Sequence, residues 1–159
     1  MDGSCFKSVA PELTRAGWSA LVYLNGAVVA CIYGALPGYL LQTSPVAEYF
    51  ALQQAINFLT DLGIIYSDYA GSGALHKAPM LLRGRGSKVR AGINHISYSI
   101  KGHLVKDVCK VKAHQSLEGL EGEDLKLASG NHEADHWAKQ GALQHPGFLQ
   151  QAEVERTYA

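Results

Sequence analysis

Glu48 is a carboxylate at a position of a predicted helix where an apolar residue would be expected. Helical periodicity over residues 44–60 places it on the apolar face, beside Leu52 and Leu59. An ionised carboxylate is costly there unless a cation pairs with it. The acid also lies one position too late to close a capping box with Ser44. These features favour a functional, cation-binding role for Glu48, with a bent helical register or a buried arginine partner as alternatives.

Asp135 flanks the apolar stripe of a second predicted helix, which begins near Asn131 and ends at about Leu143, before Pro146. The stripe contains mostly small residues at helical spacing: Ala134, Trp137, Ala138, Gly141 and Ala142. Small residues would let this helix approach a sheet closely, which would place Asp135 beside the edge of the sheet. An acid near a helix start is also favoured by the helix dipole, and spacing alone does not separate the two explanations.

Two further acids and a histidine lie at the ends of predicted strands. Alone, Asp68 after the strand at 62–68 is best explained as a helix N-cap, Asp2 as a turn residue, and His114 after the strand at 106–115 as structural. Together, however, the four acids come from four elements and could converge where strands meet helices. Such a cluster suits hard divalent ions, above all Mg²⁺. Two ions about 4 Å apart can activate water and stabilise the leaving oxygen in phosphodiester hydrolysis.

The elements that must position these acids follow a mixed order. A strand over residues 1–6 precedes a hairpin over 15–38, which turns at Asn25-Gly26. Ser44 is the predicted N-cap of the helix over 44–60, with Pro45 in its first position. The remaining predicted elements are a loop at 7–13, a short helix at 69–78, a basic loop at 81–90, a helix at 91–103 and a polar loop at 115–129. This order predicts one mixed α/β sheet with helices on its faces.

Composition limits the possible protein classes. The chain has 159 residues, enough for one domain, and its net charge of zero neither favours nor excludes a nucleic-acid partner. Its three cysteines are widely separated, which fits a reducing compartment and excludes a thiolate zinc site. His132 and His136 share a helix face with no third zinc-ligand motif, which argues against zinc. With no membrane-spanning run and no signal peptide, we expect an intracellular protein of the cytoplasm or nucleus, with no membrane partner.

Five stretches, in this order, resemble the ribonuclease H family, of the type found in cellular enzymes and in reverse-transcribing elements. They are DGS at 2–4, VAEYFALQQAI at 46–56, YSD at 66–68, VKAH at 111–114 and GNHEADHWAKQGA at 130–142. The resemblance implies a ribonuclease H-like α/β fold: a five-stranded mixed sheet, with its first three strands antiparallel, flanked by helices. We expect a catalytic domain over residues 1–145 and a C-terminal tail over 146–159.

The resemblance also implies an activity and its residues. The activity is endonucleolytic hydrolysis of the RNA strand of an RNA–DNA hybrid, leaving 5′-phosphate and 3′-hydroxyl ends. The implied metal ligands for two Mg²⁺ ions, with Mn²⁺ as an alternative, are Asp2, Glu48, Asp68 and Asp135. His114 would be the mobile catalytic loop histidine that helps proton transfer or product release.

A hybrid-specific nuclease must sense the 2′-hydroxyl groups of one strand. Gly3 and Ser4 lie beside the first acid and are the expected contacts. Four basic residues in the loop at 81–90 either bind phosphates or form a solvated surface: Arg83, Arg85, Lys88 and Arg90. We expect the protein to be a monomer. The resemblance is also compatible with an origin in a retroelement polyprotein that contains a reverse-transcriptase domain.

The sequence departs from the family pattern at two places. Several apolar residues usually precede the first Asp, whereas only Met1 precedes Asp2, so part of the first strand is expected to be missing. The segment at 115–129 is longer and more acidic than the family pattern.

The main alternative function is that of a catalytically inactive ribonuclease H-like domain that binds nucleic acid or acts as a scaffold. The third possible function is that of an integrase or junction nuclease. The GNxxAD helix and the upstream histidine argue against it.

Overall fold

A computed structural model describes residues 1–6, 13–69 and 103–145 of the chain. The strands in these segments are β1 (Asp2–Phe6), β2 (Arg15–Leu24), β3 (Ala27–Ala35), β4 (Gly63–Ser67) and β5 (Val105–Lys110), and the helices are α1 (Ser44–Phe58) and α2 (Gly122–Ala142). The predicted elements at 69–78, 81–90 and 91–103, and the tail at 146–159, lie wholly or almost wholly outside the described residues.

The predicted hairpin is confirmed, and it forms part of a three-stranded antiparallel sheet in the order β1-β2-β3. Asn25 and Gly26 form the turn between β2 and β3, with φ angles of 53° and 82°. Positive φ at both positions is what a type I′ turn requires, and this turn matches the twist of the two flanking strands. β1 then pairs along the other edge of β2, with Asp2 opposite Ser19.

The expectation of one five-stranded sheet is wrong for the described residues. β4 and β5 pair in parallel as a separate two-stranded sheet. The amino group of Met1 bridges the two sheets by donating a hydrogen bond to the carbonyl oxygen of Tyr66, at 3.0 Å. An apolar cavity of about 430 Å³ lies between β2 and β4 beside Met1.

Helix α2 begins at Gly122, well before the predicted start near Asn131, so it absorbs much of the expected polar loop at 115–129. Glu123 and Asp124 lie in its first turn, where acids interact favourably with the helix dipole. Gly130, directly before the predicted start, lies inside the helix and faces Tyr23. A Cβ atom at this position would come within 3.2 Å of the Tyr23 hydroxyl.

Helix α1 is capped by Thr43, and not by Ser44 as predicted. The Thr43 hydroxyl accepts a hydrogen bond from the Val46 amide at 3.4 Å, and Pro45 lies in the first turn as expected. This one-residue shift leaves Glu48 outside any capping box, because the acid would have to lie at Val46.

Both helices pack closely on the β1-β2-β3 sheet. A Cβ atom at Gly3 would collide with the backbone of Ala47 and Glu48 in α1, and one at Gly17 would collide with α2. Two buried clusters fill the space around α1: Ala16, Leu36, Leu40, Val46 and Ala47, and then Leu52, Ile56, Ile65, Val105 and Val108. In the described segments, neither helix is long and apolar enough to cross a membrane.

Candidate metal centre

Three of the four predicted acids meet at one point. Asp2 begins β1, Glu48 lies in α1, and Asp68 directly follows β4. One carboxylate oxygen from each lies within 4.8 Å of the other two. The hydrogen bond from Met1 to Tyr66 holds the start of β1 beside the end of β4, which brings Asp2 next to Asp68. Elements distant in sequence therefore converge as the residue types suggested. We call this group the carboxylate cluster.

Glu48 is the most enclosed member of the carboxylate cluster. Its side chain is 5% exposed, as the helical periodicity predicted. The missing side chain of Gly3 lets the α1 backbone approach β1 closely at this residue. Within the described part of the chain, the buried Oε2 atom of Glu48 has no hydrogen-bond partner. Buried polar atoms in native proteins almost always have a partner, so this oxygen is available to a ligand.

The electrostatics of the metal-free cluster oppose full ionisation. Burial raises the pKa of Glu48 well above its usual range, and its hydrogen bond to the neighbouring Asp2 carboxyl and the charge of that group raise it further. Burial also raises the pKa of Asp2 to about 6, with the charges of Asp68 and Asp135 acting in the same direction. Like charges in a desolvated site disfavour one another, and a cation would favour the ionised forms.

The donor set indicates which cation fits. The carboxylate cluster offers carboxylate oxygens alone, from Asp2, Glu48 and Asp68. Hard ions such as Mg²⁺ prefer oxygen ligands, whereas zinc and softer metals favour imidazole or thiolate. The cluster, with one orphaned buried oxygen, therefore fits a hard divalent cation.

Asp135 does not join the carboxylate cluster. Its carboxylate accepts an ion pair from Nζ of Lys139 at 2.9 Å, one turn further along α2, and its side chain is 28% exposed. The contact raises the pKa of Lys139. Asp135 is still near enough for its charge to raise the pKa of Asp2. The structure thus brings Asp135 to the rim of the cluster, and its role as a metal ligand stays a prediction.

Asn131 is a site residue that the sequence argument missed. Its Nδ2 atom donates a hydrogen bond to Oδ2 of Asp68 at 3.3 Å, and the residue is 8% exposed. Asn131 lies three residues before Ala134 and so extends the small-residue stripe of α2 by one turn. A polar amide on a buried stripe needs a partner, which is the signal that could have identified it.

His114 lies in a turn, and not at the end of a strand as predicted. β5 ends at Lys110, and the Val111 amide then donates a hydrogen bond to the Ser67 carbonyl at 2.9 Å before the chain turns away. His114 is exposed and has a φ angle of 50°. Its predicted catalytic role remains a prediction.

The predicted nucleic-acid contacts fall into two groups. Gly3 is buried against the α1 backbone, which gives it a packing role, and Ser4 is half-buried in β1. The four basic residues of the loop at 81–90 lie outside the described residues: Arg83, Arg85, Lys88 and Arg90. Contact with nucleic acid stays a prediction for both groups.

Comparison with known proteins gives a likeness in fold to solved structures. The sequence matches no protein-family model and no curated protein. The chain is similar to the crystal structure of a prototype foamy virus protease-reverse transcriptase, with 20% sequence identity and a TM-score of 0.56. The match covers 89% of this chain and 20% of that chain, so the protein spans about a fifth of the viral chain's length. At this identity the likeness shows a shared mixed α/β fold alone.

Proposed function

We propose that this protein is a divalent-metal-dependent ribonuclease H. It would cut the RNA strand of RNA–DNA hybrids internally and leave 5′-phosphate and 3′-hydroxyl ends. The observation that carries the proposal is the convergence of Asp2, Glu48 and Asp68, whose carboxylate oxygens lie within 4.8 Å of one another. The fold likeness to part of a viral protease-reverse transcriptase supports the same assignment.

Each member of the cluster has a distinct task in this proposal. Asp2, Glu48 and Asp68 hold the metal, and Asp135 at the rim is the fourth ligand once it separates from Lys139. Two bound Mg²⁺ ions, or Mn²⁺ in their place, supply Lewis acidity for phosphodiester hydrolysis. His114, in its exposed turn, transfers a proton or assists product release.

The hybrid substrate follows from the family resemblance and from the position of β1. Ser4 is half-buried in β1, two residues after Asp2 and therefore on the same face of the strand. A hydroxyl there can hydrogen-bond a ribose 2′-hydroxyl, the group that separates RNA from DNA. The basic residues at 81–90 would contact phosphates, and a reverse-transcriptase polyprotein is the proposed parent of this monomeric domain.

One observation favours a second candidate, a catalytically inactive domain that binds nucleic acid or acts as a scaffold. Asp135 is engaged by Lys139 and contributes no oxygen to the three-residue cluster. A site limited to three carboxylates could hold a cation for structural reasons without supporting hydrolysis.

A cleavage assay separates the two candidates. RNA-labelled RNA–DNA hybrid, double-stranded RNA and double-stranded DNA would be incubated with the protein and Mg²⁺, with EDTA as a metal-removal control. Asp68→Asn tests the cluster. Asp124→Asn is the matched control, because this exposed acid makes the same charge change about 16 Å from Asp135 along α2.

The proposal expects cleavage of the hybrid alone, dependent on Mg²⁺, abolished by Asp68→Asn and retained by Asp124→Asn. Asp68→Asn should remain folded, because removing one acid relieves repulsion within the cluster. A folded wild-type protein that binds the hybrid without cutting it would favour the inactive domain. Near wild-type cleavage by Asp68→Asn would overturn the site assignment.

A further inference from the structure

His132 on helix α2 contacts the turn that carries His114. Its Nε2 atom lies 2.8 Å from the carbonyl oxygen of Gln115, the residue directly after His114. A carbonyl oxygen can only accept, so Nε2 carries the hydrogen and donates it. The helix therefore holds a peptide group adjacent to the predicted catalytic histidine.

The backbone of His114 needs such support. Its φ angle of 50° lies in the left-handed region, which non-glycine residues seldom adopt. Conformations of this kind persist where surrounding contacts fix them. The hydrogen bond from His132 fixes the next carbonyl group along the chain, which restrains the rotation that would relax His114 toward an ordinary conformation.

Other hydrogen bonds of this segment are local. The Glu118 amide donates to the Ser116 hydroxyl at 3.2 Å, and the Leu120 amide donates to the Leu117 carbonyl at 3.3 Å. These bonds shape the segment without attaching it to α2. The bond from His132 joins residues 17 positions apart and makes that attachment.

The point of attachment is close to the candidate metal centre. His132 and Asp135 are three residues apart on α2 and therefore share a helix face. Asn131, the residue directly before His132, donates a hydrogen bond to Asp68 of the carboxylate cluster at 3.3 Å. The turn is thus fastened to the face of α2 that borders the cluster.

We propose that His132 is a positioning residue for His114. Through the Gln115 carbonyl it holds the turn against α2, so that the His114 side chain is presented on the side of the helix that carries Asp135. The catalytic consequence rests on the proposed ribonuclease function, whereas the position of the turn can be measured without any activity.

Nuclear magnetic resonance of the full chain tests the positioning directly. His132→Ala should shift the backbone amide resonances of residues 114–116 and lower their heteronuclear NOE values, because the attachment is lost. His132→Gln, whose side-chain amide can donate, should restore part of both signals. His136→Ala is the matched control: this exposed histidine lies one turn further along α2, with its ring 5.1 Å from that of Trp137. Unchanged resonances at 114–116 in His132→Ala would overturn the proposal.

Cleavage kinetics test whether the positioning acts through His114. His132→Ala should lower kcat several-fold with little change in KM for the hybrid, and His132→Gln should recover part of the loss. In a His114→Ala background, His132→Ala should cause no further loss. An equal further loss there would show that His132 acts independently and would overturn the proposal. Absence of cleavage in the wild type would contradict the ribonuclease function, and the resonance test would still decide the positioning.

Discussion

Nδ2 of Asn131 donates a hydrogen bond to Oδ2 of Asp68 at 3.3 Å, joining two residues that are 63 positions apart. The contact ties helix α2 to the residue that follows β4, at the border of the carboxylate cluster. A neutral amide can orient a carboxylate without adding charge to the site. Asn131 is therefore well suited to fix one oxygen of Asp68 and leave the other for a cation.

Replacing Asn131 should weaken metal binding more than it weakens the fold. Loss of one hydrogen bond in Asn131→Ala should lower the free energy of unfolding by about 1 kcal/mol. Removing a partner that orients a metal ligand typically costs about 10–100-fold in affinity. Mg²⁺ titration and chemical denaturation would measure the two effects separately.

Ser19→Ala is the control for this substitution. It removes a buried hydrogen bond from the Ser19 hydroxyl to the Ala134 carbonyl, which ties the same helix to β2 without contacting a carboxylate. Equal losses of Mg²⁺ affinity in the two variants would mean that Asn131 acts only through the stability of α2.

The stability of the metal-free protein should fall as pH rises from about 4 to about 6. The pKa of Asp2 is raised to about 6 and that of Glu48 is raised well above its usual range. Both groups titrate near pH 4 in an unfolded chain. The folded state therefore binds more protons across this window, and the linkage relation makes the free energy of unfolding decrease with pH. The lowered pKa of the Met1 amino group acts in the opposite direction.

Thermal melting in EDTA at several pH values would measure this slope. Glu48→Gln should flatten it, because one of the two coupled carboxyl groups is gone. Asp124→Asn alters an exposed acid and should keep the wild-type slope. A wild-type melting temperature that rises between pH 4 and 6 would contradict the burial of these carboxyl groups.

Gly3→Ala should destabilise the fold strongly. The new Cβ atom would collide with the α1 backbone at Ala47 and Glu48, where neither partner is a flexible side-chain end. Overpacking of this kind costs about 1–3 kcal/mol or more. Gly38→Ala is the matched control, since no atom lies within 4 Å of its Cβ position. Denaturation midpoints that are lowered equally in both variants would argue against close packing of α1 on β1.

Lys139→Gln should test whether Asp135 is a metal ligand. The ion pair is short, at 2.9 Å, but its side chains are 48% and 28% exposed, so its contribution to stability is about 0–1 kcal/mol. Releasing Asp135 should raise Mg²⁺ affinity if this acid is a ligand. Lys126→Gln makes the same charge change on α2, beside the Tyr23 ring. Equal affinities in the two variants would place Asp135 outside the metal site.

Local signals predicted those parts of the fold that depend on neighbouring residues. Asn25-Gly26 fixes its turn through backbone conformations that few residues adopt, so the hairpin followed directly from the sequence. The apolar periodicity of α1 likewise predicted that Glu48 would be buried, and the side chain is 5% exposed.

The remaining features depend on contacts between distant residues. Helix α2 begins before the predicted start near Asn131, and its contact between Gly130 and Tyr23 cannot be inferred from local sequence. The sequence also did not predict the hydrogen bond from Met1 to Tyr66, which joins the two sheets across 65 positions. The ion pair between Asp135 and Lys139 was also not predicted, because helical spacing permits such a pair without requiring it.

Calorimetric titration of Mg²⁺ into the metal-free protein is the most direct test of the carboxylate cluster as a metal centre. The wild type and Asp124→Asn should bind with the same affinity, whereas Glu48→Gln, which alters the unpartnered buried oxygen, should lose most of it. Wild-type affinity in a folded Glu48→Gln protein, or no binding by the wild type, would contradict a metal site built from Asp2, Glu48 and Asp68.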